Sequence, residues 1–290
     1  MQYIEAKSIL SKLKGNDTFF GLSYNMNLYR GCQHGCIYCD TRSECYGIVD
    51  IDTISVKGNA LELLAKALRS KRKTKGTIGT GSMNDPYMPL ERELELTRSA
   101  LQTIATAKYP VHIITKSNLV ARDVDILQEI AKTYAAVSIT ITADDDNLAK
   151  AIEPCAPPSS ERFKAMEKLS KNGIYTGVTL MPLLPFINDT TENLENIVKK
   201  AKDAGASYIL MMPGVTLRKG SRDYFYQALD SKFAGVRKQY EDAFGEQYIC
   251  NSPNYRALVD TFYNLSAKLG IETQMQFYKP IADDEQLTLW

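Results

Sequence analysis

Residues 29–40 read Tyr29-Arg-Gly-Cys-Gln-His-Gly-Cys-Ile-Tyr-Cys-Asp40 and place Cys32, Cys36 and Cys39 within eight residues. The spacing is C-x3-C-x2-C, and the aromatic Tyr38 precedes the last cysteine. Three thiolates on one short loop can hold three irons of a [4Fe–4S] cube and leave the fourth iron without a protein ligand. A small molecule can chelate that iron and be reduced there. The stretch therefore predicts an iron–sulfur centre with an open coordination position.

Zinc is the alternative metal for this loop, with His34 as a fourth ligand in a Cys3His set. Structural zinc usually takes its four ligands from two pairs that are well separated in sequence. No second pair follows this loop, and the other histidine, His112, stands alone in an apolar run. The spacing favours an iron–sulfur cluster, while a non-catalytic Fe–S or zinc protein that binds a partner stays open.

Short apolar runs alternate with helical patterns along most of the chain, which is typical of buried parallel strands joined by helices. A strand near Leu22–Tyr29 leads into the cysteine loop, and about six β/α units result. The later runs are Thr77–Thr80, Val111–Thr115, Val137–Thr142, Ile174–Leu180 and Tyr208–Met212. The helical patterns are Asn59–Arg72, Leu90–Ala107, Asp123–Tyr134, Ser160–Asn172 and Thr191–Ala204. The pattern predicts an α/β fold, a partial (β/α)6 barrel.

The pattern changes after Gly214. The stretch Tyr224–Phe244 is aromatic and charged, and Asn254–Leu269 has the spacing of a helix with one apolar face. We therefore predict a core over residues 1–220, including an N-terminal lead-in, and a helical C-terminal extension over residues 221–290. The extension is expected to cover one mouth of the barrel.

The cysteine motif resembles the signature of the radical S-adenosylmethionine (radical SAM) enzymes. Three further stretches, Cys39–Tyr46, Gly79–Tyr87 and Ser138–Pro158, resemble the branch related to spore photoproduct lyase, a DNA-repair enzyme. The resemblance runs from about Tyr24 to about Gly214. It implies a partial TIM-type barrel, a [4Fe–4S] cluster and S-adenosyl-L-methionine (SAM) as cofactors. It also implies reductive cleavage of SAM to a 5′-deoxyadenosyl radical, which abstracts hydrogen from an unidentified substrate.

The resemblance also assigns SAM-contacting roles at the carboxyl ends of the strands, where sites of α/β barrels lie. Backbone groups near Tyr38 are expected to meet the adenine. Acceptors for the amino group of SAM are expected among Ser82, Asn84 and Asp85, although Asp85-Pro86 also reads as a helix entry. Lys116 is expected to pair with the SAM carboxylate, with an ordinary surface lysine as the alternative.

Ser138 lies on the inner face of the fourth strand, where a polar group needs a partner, and the resemblance implies that it contacts the SAM ribose. Spore photoproduct lyase carries a hydrogen-donating cysteine in the loop after the second strand, whereas residues 81–85 here contain none. Cys155, which replaces a basic residue of many relatives, and Cys45 are the candidates for that donor. The departure makes a DNA photoproduct lyase the less favoured alternative.

Composition narrows the class of partner. The chain carries 35 basic and 34 acidic residues, a net charge of +1, so a nucleic-acid partner is possible but not favoured.

No apolar run approaches the roughly 18 residues that span a bilayer. No signal peptide is apparent, and clustered cysteines are typical of a reducing compartment, so we expect a cytoplasmic protein. A flavodoxin or ferredoxin is the expected reducing partner.

Overall fold

The computed structural model describes residues 1–15, 17–48, 50–70 and 74–280. Its central element is a seven-stranded sheet in the order β10-β9-β8-β7-β6-β3-β2. The strands are β1 (Gln2–Ile4), β2 (Leu10–Lys12), β3 (Tyr24–Met26), β4 (Tyr29–Arg30), β5 (Ser55–Lys57), β6 (Ile78–Thr80), β7 (Val111–Thr115), β8 (Ala135–Thr140), β9 (Tyr175–Leu180), β10 (Tyr208–Met211), β11 (Gly214–Thr216) and β12 (Ile249–Asn251). Six neighbouring strands, from β3 to β10, run parallel, and β2 pairs antiparallel at the edge. The α/β fold with an unclosed parallel sheet is confirmed.

Helices connect the strands of the sheet and follow it in the C-terminal part. They are α1 (Ala60–Arg69), α2 (Glu91–Leu94), α3 (Leu96–Thr106), α4 (Val124–Ala131), α5 (Asp146–Ile152), α6 (Ser159–Lys171), α7 (Thr191–Asp203), α8 (Ser221–Lys232), α9 (Val236–Phe244) and α10 (Tyr255–Leu269). The Thr190 hydroxyl accepts the Asn193 amide at the start of α7, which satisfies an amide that has no partner within the helix. Most helix bounds agree with the sequence pattern to within a few residues; the predicted end of the first helix, at Arg72, lies outside the described residues.

One predicted helix, Leu90–Ala107, is divided into α2 and α3. Glu95 adopts the left-handed conformation, with φ of +48°, between the two helices. The buried Glu91 carboxylate accepts the Thr97 amide at 3.0 Å and so takes the role of a helix carbonyl. Periodicity did not predict this break because the apolar face continues across it.

The short strands that form two small additional sheets were also not predicted as such. β1, β4 and β5 form a small second sheet, and β11 and β12 form an antiparallel pair. These strands are too short for an alternating pattern to distinguish them from loops. The predicted first strand, Leu22–Tyr29, corresponds to β3 and the start of β4.

The C-terminal part packs against the core in two places. Helix α10 lies beside α7, and its Leu258 and Phe262 belong to the main hydrophobic core. A second core joins Ile37 of the cysteine loop to Phe225 of α8 and Tyr240 of α9. The C-terminal part therefore supports both the outer helix layer and the cysteine loop.

Candidate active site

A cavity of about 360 Å³ lies where the parallel strands end. Its walls come from the cysteine loop after β4, from the ends of β6 to β10, and from β11. The lining residues include Cys32, His34, Cys36, Tyr38, Cys39, Asp40, Thr41, Ser82, Met83, Asn84, Asp85, Thr115, Lys116, Thr140, Met181, Pro182, Met212 and Thr216. All three cysteines of the motif thus share one cavity with side chains from five neighbouring strands, the arrangement expected for a barrel active site.

The three thiols are free and suit an iron–sulfur cluster. Burial and the Asp85 carboxylate raise the pKa of Cys32 to about 11, and hydrogen bonds from the backbone amides of His34 and Asp85 partly offset this. Burial also raises the pKa of Cys36, while the Lys116 ammonium opposes the shift. Amide hydrogens directed at a ligand sulfur and a cation close by are features that stabilise thiolates and tune bound clusters. The donor set therefore fits the cluster that the spacing predicts.

Gly81 lets the loop after β6 pass close to β7. Its φ is +91°, and a Cβ built there would lie 2.2 Å from the Ile114 carbonyl oxygen. Only glycine fits this conformation and this approach. The loop therefore runs directly from β6 into the cavity wall, where Ser82, Asn84 and Asp85 follow.

Asp85 ties three parts of the site together. Its carboxylate accepts the Thr115 hydroxyl at 2.6 Å and the Lys116 amide at 2.7 Å, and lies 3.1 Å from Nε2 of His34. Burial alone would raise the pKa of Asp85, but His34 and the hydrogen bonds hold it well below its usual range. Because these bonds use both carboxylate oxygens, Asp85 is better placed to fix the loop than to accept a ligand.

Asn84 and Ser82 differ in how far their side chains are already engaged. Asn84 is buried and donates through Nδ2 to the Tyr29 carbonyl at 2.7 Å, which leaves its Oδ1 as the acceptor. Ser82 is exposed at the cavity wall. The two side chains present the acceptors that an ammonium group requires.

Lys116, at the end of β7, places its cation beside the cysteines. Its Nζ lies 5.7 Å from the centre of the Tyr38 ring. Burial would lower the pKa of the Lys116 ammonium, but nearby negative groups, first Cys36 and then Glu153, raise it to about 12. The cavity therefore contains a lysine that stays charged at neutral pH.

Ser138 lies below the cavity rather than in its wall. Its hydroxyl is within 2.7 Å of both His112 Nε2 and the Tyr208 hydroxyl, in the interior of the sheet. Thr140, two residues further along β8, lines the cavity, and its hydroxyl contacts that of Thr179. The sequence indicated the right strand, but it is Thr140, the last residue of β8, that reaches the cavity wall, and Ser138 lies two residues before it.

Cys155 lies on the outer side of the cysteine loop. It is exposed, and its amide donates to the His34 carbonyl at 3.1 Å. Its side chain lines a surface depression that does not include the three cluster cysteines. Among the described residues, the cysteines that line the central cavity are those of the motif alone.

The sequence did not predict the buried ion pair between Glu153 and Arg162, which lies next to the cysteine motif. Arg162 Nη2 lies 2.6 Å from Glu153 Oε2, and both side chains are about 1% exposed. The Tyr38 hydroxyl donates to Glu153 Oε1. Burial raises the pKa of Glu153, but Arg162 and then Lys116 hold it below its usual value. Sequence spacing offers no signal for the pair, since its members lie nine positions apart on either side of the start of α6.

Within the described ranges, no three His, Cys, Asp or Glu side chains converge closely enough to hold one ion. His34, the supposed fourth zinc ligand, faces Asp85 instead. A cube of four irons needs thiols that are farther apart, since each binds a different corner.

Across the described part of the chain, no helix is both long and apolar enough to cross a membrane.

Comparison with known proteins identifies a family for this chain. Residues 26–201 match the model of the radical SAM superfamily. An uncharacterized protein of Methanocaldococcus jannaschii is 30% identical over 276 residues, which cover 92% of this chain and 95% of that protein. A radical SAM Nα-GlyT isomerase of Pseudomonas phage M6 is 23% identical over 180 residues, 62% of this chain and 37% of that protein.

Among solved structures, spore photoproduct lyase complexed with dinucleoside spore photoproduct has a similar fold. The TM-score is 0.66 at 15% identity, over 92% of this chain and 78% of that one. This similarity concerns the fold. With a family match over more than half of its length, the chain belongs to the radical SAM superfamily.

Proposed function

We propose that this protein is a radical SAM enzyme that binds a [4Fe–4S] cluster through Cys32, Cys36 and Cys39 and abstracts hydrogen from an organic substrate. The observation that carries the proposal is the shared cavity, which three free thiols and the charged Lys116 line together at the carboxyl ends of the strands. Membership of the superfamily supports the same reading.

When bound, the cluster and SAM together supply one-electron cleavage of SAM to methionine and a 5′-deoxyadenosyl radical, which takes a hydrogen atom from the substrate. The electron comes from a reducing partner such as a flavodoxin or ferredoxin. The protein supplies binding, orientation and exclusion of water.

The residues around the cysteines have complementary roles towards SAM. The Lys116 ammonium pairs with the carboxylate of SAM, because it is the cation nearest the cysteines in the cavity wall. Asn84 Oδ1 and Ser82 accept from the amino group, and Asp85 holds their loop in place. Backbone groups beside Tyr38 meet the adenine. The cavity wall favours Thr140 over Ser138 for the ribose.

Part of the cavity wall is apolar. Met83, Met181, Met212 and Val215 contribute to its wall. Methionine side chains are flexible and adapt to irregular shapes. They exclude water, and this limits side reactions of a reactive intermediate.

The test is anaerobic reconstitution with iron and sulfide, followed by reduction in the presence of SAM and measurement of 5′-deoxyadenosine. We expect product from the native protein and none from Cys36→Ala, which removes one cluster ligand. A full cluster that yields no 5′-deoxyadenosine would support a non-catalytic Fe–S protein instead. Zinc in place of the cluster would contradict the proposal.

A photoproduct lyase is the less supported alternative. The described cavity residues offer no cysteine beyond the three proposed ligands, and Cys155 lies outside the cavity. A lyase that returns hydrogen from a cysteine would need one beside the substrate. Repair of a dinucleoside photoproduct by the reconstituted enzyme would restore this alternative.

A further inference from the structure

A segment between α5 and α6 runs along the cysteine loop. The Ile37 amide donates to the Ile152 carbonyl at 3.0 Å, and the Cys155 amide donates to the His34 carbonyl at 3.1 Å. Between these two backbone bonds, the Tyr38 hydroxyl donates to Glu153. Three ties therefore connect residues 34–38 of the loop with residues 152–155.

Arg162 of α6 holds this segment from behind. Its Nη2 contacts Glu153, its Nε donates to the Pro157 carbonyl at 2.8 Å, and its Nη1 donates to the Thr140 carbonyl at 2.9 Å. Thr140 is the last residue of β8 and lines the cavity. One buried guanidinium thus joins the end of β8 to the segment that supports the cysteine loop.

We propose that Glu153 and Arg162 are positioning residues that hold the cysteine loop and the end of β8 in the arrangement in which SAM binds. This inference rests on the proposed function. The pair acts through Tyr38 on one side of the cavity and through Thr140 on the other. Neither member lines the cavity itself, so the pair fixes the spacing of two walls.

A charged pair suits this role better than an apolar contact. Buried ion pairs are weak contributors to stability, but they specify one geometry because each misplacement leaves a charge unpaired. The guanidinium offers donors in a rigid planar fork, which directs three acceptors at fixed angles. An apolar pair of similar volume fills the same space but does not hold the three acceptors at fixed angles.

The test compares the full-length native protein with the double variant Glu153→Leu/Arg162→Met, an apolar pair that leaves no buried charge unpaired. Hydrogen exchange of the Ile37 and Cys155 amides is measured on the protein as purified. SAM affinity and iron content are measured after reconstitution. We expect both amides to exchange at least tenfold faster, and SAM to bind about 10–100-fold more weakly at unchanged iron content, the usual effect of losing outer-shell partners.

Arg98→Met is the matched control. It also removes a guanidinium from a fully buried carboxylate, that of Asp123, but on α3 and without contact to the cysteine loop. We expect it to lower stability while both amides and SAM affinity stay as in the native protein. The positioning role would be overturned by native-like amide exchange in the double variant, or by unchanged SAM affinity.

Tyr38→Phe provides a second variant if the double variant does not fold. It removes only the hydroxyl that links the loop to Glu153, and the same two measurements apply with the same expected direction. If the native protein binds no SAM, the proposed function fails. Amide exchange then still tests the positioning role, because native-like protection of the Ile37 and Cys155 amides in the variants would overturn it.

Discussion

At the scale of single residues, neighbours decide which polar side chains are free to bind a ligand. Asp85 and Ser138 are both polar and buried, yet each is saturated by bonds within the protein. Lys116 has a different environment, since its side chain lies in the cavity wall and nearby negative groups, first Cys36, keep its ammonium charged. The charge of Lys116 is therefore available to an anionic ligand.

This difference makes a prediction for Lys116. Lys116→Met keeps the apolar stem and removes the charge. A hydrogen bond to a charged group contributes about 1.5–3 kcal/mol, so the Kd for SAM should rise about 10–100-fold, at about 1.4 kcal/mol per tenfold. Titration of the reconstituted protein with SAM measures this Kd.

Lys116→Arg, which keeps the charge, is the control and should bind SAM more tightly than Lys116→Met. Iron content should stay the same in both variants, because Lys116 is not a cluster ligand. Equal SAM affinity in the native protein and in Lys116→Met would show that the lysine does not contact SAM.

At the scale of elements, the strands carry a buried polar chain beneath the cavity. His112 of β7, Ser138 of β8 and Tyr208 of β10 are linked by contacts of 2.7 Å, and the Phe20 ring packs against His112. Burial lowers the pKa of His112 from 6.5 to about 3. The imidazole is thus neutral in the folded protein and takes up a proton only on unfolding, over most of the acidic range.

The consequence is a loss of stability in acid. Between pH 6.5 and about 3 the unfolded chain binds a proton at His112 that the folded chain does not bind. The contribution of the neutral His112 to the free energy of unfolding is complete above pH 6.5. Below that pH it falls by about 1.4 kcal/mol per pH unit, which is a loss of about 2 kcal/mol at pH 5. Urea unfolding at pH 7.5 and pH 5 measures this change.

His112→Gln, which does not titrate, is the comparison. The native protein should lose more stability than this variant between the two pH values, and the difference should be near the figure above. An identical loss in both proteins would mean that His112 is protonated in the folded state or is not buried there.

At the scale of the whole molecule, the C-terminal elements pack against the main core and against the cysteine loop. Leu258 and Phe262 of α10 are buried in the main core, and Phe225 of α8 packs in the core that contains Ile37. After α10 the chain returns to the sheet, where the Ile209 amide donates to the Glu272 carbonyl at 2.9 Å. Residues 221–280 thus share their contacts with the predicted core, residues 1–220.

We therefore expect the chain to unfold in one cooperative transition. Leu258→Ala, which empties a fully buried site on α10, should lower the free energy of unfolding of the whole protein by about 2–5 kcal/mol. Tyr263→Ala, on the same helix but 55% exposed, should have little effect. Separate transitions, with only one changed by Leu258→Ala, would support an independent C-terminal extension. Far-ultraviolet circular dichroism during urea unfolding distinguishes these outcomes.

The sequence by itself determined the fold class and the cysteine loop. Apolar β-branched runs and C-x3-C-x2-C spacing are local signals, because strand propensity and the reach of one short loop depend on neighbouring residues. The strand ends that surround the cavity followed from the same alternation, and so Asn84, Asp85 and Lys116 were brought to its wall as expected.

Only the tertiary structure decided how the side chains are used. The saturation of Asp85 and Ser138, the outward position of Cys155 and the Glu153–Arg162 pair depend on residues that are far apart in sequence or belong to different elements. The register of β8 placed Thr140 rather than Ser138 in the cavity wall. Burial and hydrogen bonding are properties of the assembled sheet, and no local pattern encodes them.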